Sequence, residues 1–118
     1  MGMDCSAFTQ LLLSEQGIEL PRDAEQQFKA TRPLERDQVP RPGDLLFFGP
    51  RRGRVGHVGV ALGGGYYAHS RGRVRINSIE PDNILWDKEL YEQSRGFRRP
   101  TRMASLGPRE VQNALESA

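Results

Sequence analysis

Cysteine occurs once in these 118 residues, histidine twice and lysine twice. A single thiol, Cys5, excludes an internal disulfide framework and a cysteine-based zinc cluster. Long apolar runs are missing as well: the longest cover residues 11–13 and 45–48, far short of the roughly 20 residues that a membrane-spanning helix needs. Membrane insertion is therefore not expected. No apolar stretch precedes Cys5, so neither a secretory signal nor a lipoprotein-type cysteine is expected from it. Met1-Gly2-Met3-Asp4-Cys5-Ser6 satisfies the loose Met-Gly-x-x-x-Ser acylation pattern, which is too short to outweigh chance.

The scarcity of lysine leaves the basic charge on arginine. Arg51, Arg52 and Arg54 form one cluster, Arg71, Arg73 and Arg75 a second, and Arg95, Arg98, Arg99 and Arg102 a third. With Lys+Arg 17 against Asp+Glu 15 the net charge is only +2. Because the acidic residues are interspersed, these clusters read as a solvated arginine-rich surface, and no nucleic-acid partner is expected.

What is present suits one polar domain with a modest core: 36% hydrophobic residues and a mean hydropathy of −0.63. Asp4 is a good N-cap, its carboxylate free to accept from the N–H of Ser6 or Ala7. Phe8, Leu11 and Leu12, with Leu13, then mark the inner stripe of a helix that Gly17 ends. Pro21-Arg22-Asp23 opens a second short helix, with Ala24, Phe28 and Gln27 inward, fading by Thr31. A linker carrying Pro33, Pro40 and Pro42 follows.

Beyond it the texture is that of strands at 43–49, 55–62, 66–70 and 73–79, with Gly63-Gly64-Gly65 turning a hairpin. Residues 81–91 read as irregular or as a helical turn around Trp86, and 95–100 as a closing strand. The tail, 101–118, has a short helix pattern on Val111, Ala114 and Leu115. Helices first and then a meander of strands make an α+β domain over residues 1–100.

Both histidines fall on strands. His57 shares a face with Val55, Gly59 and Ala61, and His69 shares one with Tyr67. Two adjacent antiparallel strands can bring both imidazoles to one sheet face. Cys5, Phe8 and Leu12 stand at i, i+3, i+7, so a helix laid on that sheet would carry the thiol towards His57. A nucleophile, a base and an orienting group would then come from three elements. A cysteine in a first helical turn feels the positive end of the helix dipole, which favours the thiolate, whereas the carboxylate of Asp4 opposes it. The competing explanation is structural, since lone cysteines are commonly inert core residues and strand histidines commonly pack.

The blocks around these residues decide between the two. "DCSAFTQLLLSEQGIELPRDAEQQ", "RPGDLLFFG", "VGHVGVALGGGYYAHS", "GRVRINSI" and "GFRRP" follow one another over about residues 4–100, and together they resemble the NlpC/P60 family of cell-wall cysteine peptidases. The resemblance implies a papain-like α+β core, helices packed on a small antiparallel sheet. By position Cys5 becomes the nucleophile, His57 the base and His69 the polar residue that orients it. Asp4, Ser6 and Asp23 become substrate contacts, an anionic carboxylate being suited to grip an ammonium group.

The implied reaction is hydrolysis of γ-D-glutamyl–diamino acid bonds in peptidoglycan stem peptides or free muropeptides, through a thioester acyl-enzyme. The alternatives are a catalytically impaired remnant that binds cell-wall peptides, and an amidase or acyltransferase on the same fold. Neither cofactor nor metal is implied. The compartment by resemblance is extracellular, cell-wall or periplasmic, or cytoplasmic for muropeptide recycling.

Departures from the family pattern are specific. Ala7 replaces a glycine, a small-for-small change, and Ala24 lacks a hydroxyl used for an N-terminal L-alanine. The helix and Tyr-x-Trp-Gly-Gly loop that the family carries before its cysteine are not among these residues. The expectation is an N-terminally truncated core: a fragment of a longer parent protein with further domains upstream, a misplaced start or an unusually trimmed member.

Overall fold

The computed structural model describes residues 4–101 together with Gln112 and Glu116. The chain runs α1 (Cys5–Ser14), α2 (Ala24–Lys29), β1 (Thr31–Pro33), β2 (Leu45–Phe48), β3 (His57–Gly63), β4 (Tyr66–Ser70), β5 (Val74–Ser78), α3 (Lys88–Glu92) and β6 (Ser94–Pro100). The six strands make one antiparallel sheet in the order β1-β6-β2-β3-β4-β5. The α+β architecture expected from the sequence is present.

Strand periodicity divides the core into two layers. Leu45, Phe47, Val58, Val60, Leu62 and Ala68 face α1, the following loop and the start of α2, which cover them with Phe8, Leu12, Leu13, Ile18, Leu20 and Ala24. On the other face Leu46, Phe48 and Tyr67 gather around Leu90 of α3, with Ile79 and Phe97 alongside. Central β2 is covered on both sides, which explains why its four residues are all apolar and all buried.

The caps follow from local chemistry. Asp4 has extended backbone and accepts from Ala7 N–H at 2.8 Å, leaving Cys5 as the first residue of α1. Gly17 takes φ +75° just beyond the helix, a conformation that costs a β-carbon-bearing residue more. Asp23 caps α2 on Gln26 N–H in the same way. Gly63, Gly64 and Gly65 all have positive φ and turn the β3–β4 hairpin as expected.

Three expectations change. Leu11 is 51% exposed, and the buried stripe of α1 takes in Thr9 instead, beside the expected Phe8, Leu12 and Leu13. Thr9 tolerates burial because its hydroxyl donates to Gln27 Oε1 at 2.7 Å. Thr31–Pro33 is not the end of a helix and a linker but an edge strand, pairing Thr31 with Pro100. A proline is tolerated there because one side of an edge strand has no ladder to join. Residues around Trp86 form a bridge to Ser78, and the helix starts only after Asp87, which caps it on Leu90 N–H. The expected tail helix lies outside the described residues except for Gln112 and Glu116, both helical and joined at 3.1 Å.

Candidate active site

Cys5 occupies the first turn of α1, and that turn is fastened to α2 by a buried amide. Gln27 Nε2 donates to the Ser6 carbonyl at 3.0 Å and to the Pro21 carbonyl at 2.9 Å, while Oε1 takes the Thr9 hydroxyl. Every polar atom of the amide is engaged, so the residue is both buried and satisfied. Sequence patterning marks Gln27 only as inward-facing; a fully buried glutamine on a short amphipathic helix is the signal that it bonds across elements.

α1 packs on the Val58/Val60 face of the sheet, opposite the histidine face, a choice that the sequence left open. The thiol nevertheless meets the histidine strand, because Cys5 lies where β3 begins. Its Sγ donates to the Gly56 carbonyl at 4.0 Å, and the Val58 N–H approaches the sulfur from the other side of His57. Burial pushes the thiol pKa above its ordinary value, the Val58 N–H opposes this, and the Asp4 carboxylate adds to it. The resting sulfur is therefore a protonated thiol, where the position in a first turn had suggested a thiolate. No hydrogen bond joins it to the imidazole of His57 among the described residues. Such contacts commonly tighten only when substrate is bound.

The two histidines come together on the opposite face. Gly59 stands directly across from His69 in the β3–β4 register, and this missing side chain lets the rings converge. His57 Nε2 lies 2.9 Å from His69 Nδ1, with the rings edge to face. Phe48 and Tyr67 flank them at ring-centroid distances of 5.3 and 5.4 Å. Burial, then the neighbouring His69 and Arg71, lowers the His57 pKa to about 3. Burial likewise lowers that of His69, with Arg71 and Arg75 acting in the same sense and Asn77 and Asp87 against it. At neutral pH both rings are uncharged.

The chain of contacts continues to a residue that the sequence did not single out. His69 Nε2 is 2.7 Å from Asn77 Oδ1, and Asn77 Nδ2 donates to the Leu85 carbonyl at 2.9 Å. The available signal was a lone amide on the inner side of an alternating strand, opposite Tyr67.

Of the three expected substrate contacts, Asp4 and Ser6 adjoin the thiol at the helix start, and both are engaged by Arg22. The guanidinium grips Asp4 at 2.8 and 3.2 Å and donates to Ser6 Oγ at 3.0 Å. The Arg22 hydrogen bond, then that of Ala7, holds the Asp4 carboxyl at a pKa of about 2, so it is ionised and paired. Asp23 follows Arg22 and spends one oxygen on its helix cap. The mouth of the site thus presents a matched carboxylate–guanidinium pair where free carboxylates were expected.

The family model of the NlpC/P60 family matches residues 1–95. The chain belongs to the NlpC/P60 family. It is 35% identical over 99 residues to the γ-D-glutamyl-L-lysine dipeptidyl-peptidase of Bacillus subtilis, a match covering 81% of the chain and 33% of that protein. It is 36% identical over 95 residues to a probable endopeptidase NlpC homologue of Haemophilus influenzae, covering 80% of the chain and 49% of the relative. Among solved structures, an NLP/P60 family protein of Staphylococcus aureus superposes with a TM-score of 0.69 at 26% identity, over 85% of the chain and 32% of that protein. An NlpC/P60 family protein of Bacillus cereus gives 0.68 at 28% identity, over 85% and 32%. The chain thus spans a third to a half of the length of these curated relatives.

Proposed function

We propose that this chain is the catalytic domain of a cysteine peptidase that hydrolyses γ-D-glutamyl–diamino acid bonds in peptidoglycan stem peptides, with Cys5 as nucleophile, His57 as base and His69 as its orienting partner. The observation that carries this reading is the convergence of a first-turn thiol with the start of β3, where a buried His57 is held by a second histidine at 2.9 Å. Family membership supports it, as does the γ-D-glutamyl-L-lysine dipeptidyl-peptidase activity named for the Bacillus subtilis relative, which points to L-lysine as one diamino acid.

In the first half-reaction the Cys5 sulfur attacks the amide carbonyl carbon while its proton passes to the imidazole of His57. Amide N–H groups of the first turn, those of Cys5 and Ser6, face the sulfur and are available to the developing oxyanion. The C–N bond then breaks, the leaving amine takes the proton from His57, and a thioester remains. Water attacks that thioester, gives a proton to His57, and the thiol leaves as the C–S bond breaks and its proton returns. The paired Asp4 and Arg22, with Ser6 and Asp23, are placed to meet charged groups of the peptide beside the scissile bond.

The test is incubation with L-Ala-γ-D-Glu-L-Lys and with the diaminopimelate counterpart, products read by mass spectrometry. Release of the free diamino acid, abolished by Cys5→Ala, is expected. Absence of cleavage by the folded chain, or undiminished cleavage by Cys5→Ala, would sink the proposal.

A further inference from the structure

We infer that Asn77 is a positioning residue that sets the direction of the proton chain through the two histidines and so keeps the lone pair of the His57 base on Nδ1. The proton order follows from the hydrogen-bond geometry of two buried, uncharged rings; its consequence for catalysis rests on the peptidase reading above.

A backbone carbonyl sets the order of the protons. Leu85 O accepts from Ser78 N–H at 3.0 Å and faces the Asn77 amide at 2.9 Å. A carbonyl cannot donate, so the Asn77 atom directed at it is the nitrogen, and the atom directed at His69 is the oxygen. That oxygen only accepts, which places a hydrogen on His69 Nε2. His69 is neutral, so its Nδ1 is bare and must accept the next bond. The atom facing it at 2.9 Å is His57 Nε2, which therefore carries a hydrogen. His57 is neutral too, and the nitrogen left without a hydrogen is Nδ1.

Each step forces the next, and the last defines a base. With the opposite order His57 would hold its hydrogen on Nδ1 and have no lone pair on that nitrogen for a proton from substrate or thiol. A histidine pair alone cannot choose between the two orders, because both place one hydrogen between the rings. Asn77 chooses, and it can do so only because Leu85 O fixes its amide against rotation. Leu85 O is itself pinned by the Ser78 N–H, next to the bridge between Ser78 and Trp86. The charged groups around this end of the chain are Arg71 and Arg75 from the β4–β5 hairpin and Asp87 and Glu89 from the α3 segment. They line one open cleft of about 470 Å³ with His69 and Asn77.

The experiment is long-range ¹H–¹⁵N correlation NMR on histidine-labelled protein near neutral pH, which distinguishes hydrogen-bearing from bare ring nitrogens. For the unaltered chain both rings are expected as the Nε2–H tautomer; a hydrogen on Nδ1 of His57 overturns the inference. In Asn77→Leu, which keeps the size and removes the acceptor, both rings are expected to lose this single tautomer. With the stem peptide as substrate, kcat should fall about tenfold or more while KM changes little. Unchanged tautomers in a folded Asn77→Leu chain would overturn the inference as well. If the unaltered chain shows the expected tautomers but cleaves no peptide, the proton order stands and the peptidase proposal is the one that fails.

Discussion

Burial acts on Cys5 and His57 in opposite chemical senses with the same result, raising the pKa of the acid and lowering that of the base so that both rest neutral. A neutral pair is suited to proton transfer during attack, where a preformed ion pair would need more stabilisation from a partly dry site. The same burial gives a stability signature. His57 folds with a pKa of about 3 against an ordinary 6.5, so between those values the unfolded chain binds a proton that the folded one does not. Stability from this residue is therefore complete above pH 6.5 and is lost as pH falls towards 3, with a slope of up to about 1.4 kcal/mol per pH unit. His69, lowered for the same reason, adds in the same direction. Urea midpoints measured down this range should fall with acidity, and His57→Phe should flatten part of the fall. A midpoint that stays level from neutral pH to the lower limit would show that the rings are not held neutral.

In and just before β3, two glycines close to His57 have opposite requirements. A Cβ on Gly59 would lie 3.0 Å from the Ala68 carbonyl, 3.2 Å from Tyr67 Cδ2 and 3.3 Å from His69 Cβ. The first of these is backbone and cannot swing aside, so the strands would have to part. A Cβ on Gly56 would meet nothing within 4 Å, and its φ is not in the positive region. Gly59→Ala should therefore destabilise the fold by about 1–3 kcal/mol and disturb the histidine contact, whereas Gly56→Ala should leave the denaturation midpoint nearly unchanged. Equal behaviour of the two variants would contradict the packing described.

Elements of this kind also separate what was legible in the sequence from what was not. Cys5, His57 and His69 stood out through the ordered blocks that resemble the family; the cap before the cysteine and the alternation around the histidines alone left a structural explanation open. The order of β3 and β4 followed from three glycines at the turn. Gln27, Arg22 and Asn77 carry no such mark, since their meaning lies in contacts made 21, 18 and 8 residues away in the chain. β1 escaped notice because three residues ending in proline have too little periodicity to read, and its pairing with β6 closes only over a long separation. The sheet face chosen by α1 was open for the same reason: a helical stripe says which side of the helix is buried, not which side of the sheet receives it.

At the scale of the whole molecule, two aspartate–arginine pairs of similar geometry occupy opposite environments. Asp4 and Arg22 meet at 2.8 Å at the mouth of the site with more than half of each side chain exposed. Asp44 and Arg99 meet through two bonds of 2.7 and 2.8 Å with almost nothing exposed, and Asp44 also accepts from Arg41 N–H at 2.9 Å. Water and salt screen the first pair, so it contributes little to holding the fold.

The second pair joins the end of β6 to the residue before β2, and β6 in turn carries edge strand β1. Arg99→Met would leave the Asp44 carboxylate buried without its partner and should cost about 3–5 kcal/mol, little affected by added salt. Replacing both partners with apolar residues should recover much of that loss, because the penalty lies in the orphaned charge and not in the missing attraction. Arg22→Met should shift the urea midpoint only slightly at low salt and less still at high salt. Denaturation of the three variants at two salt concentrations discriminates the cases, and a loss in Arg22→Met as large as that in Arg99→Met would mean that burial does not set the weight of these pairs. In the proposed function this contrast has a corollary: the exposed Arg22 is able to exchange its partner for a substrate carboxylate, whereas the buried Arg99 is not.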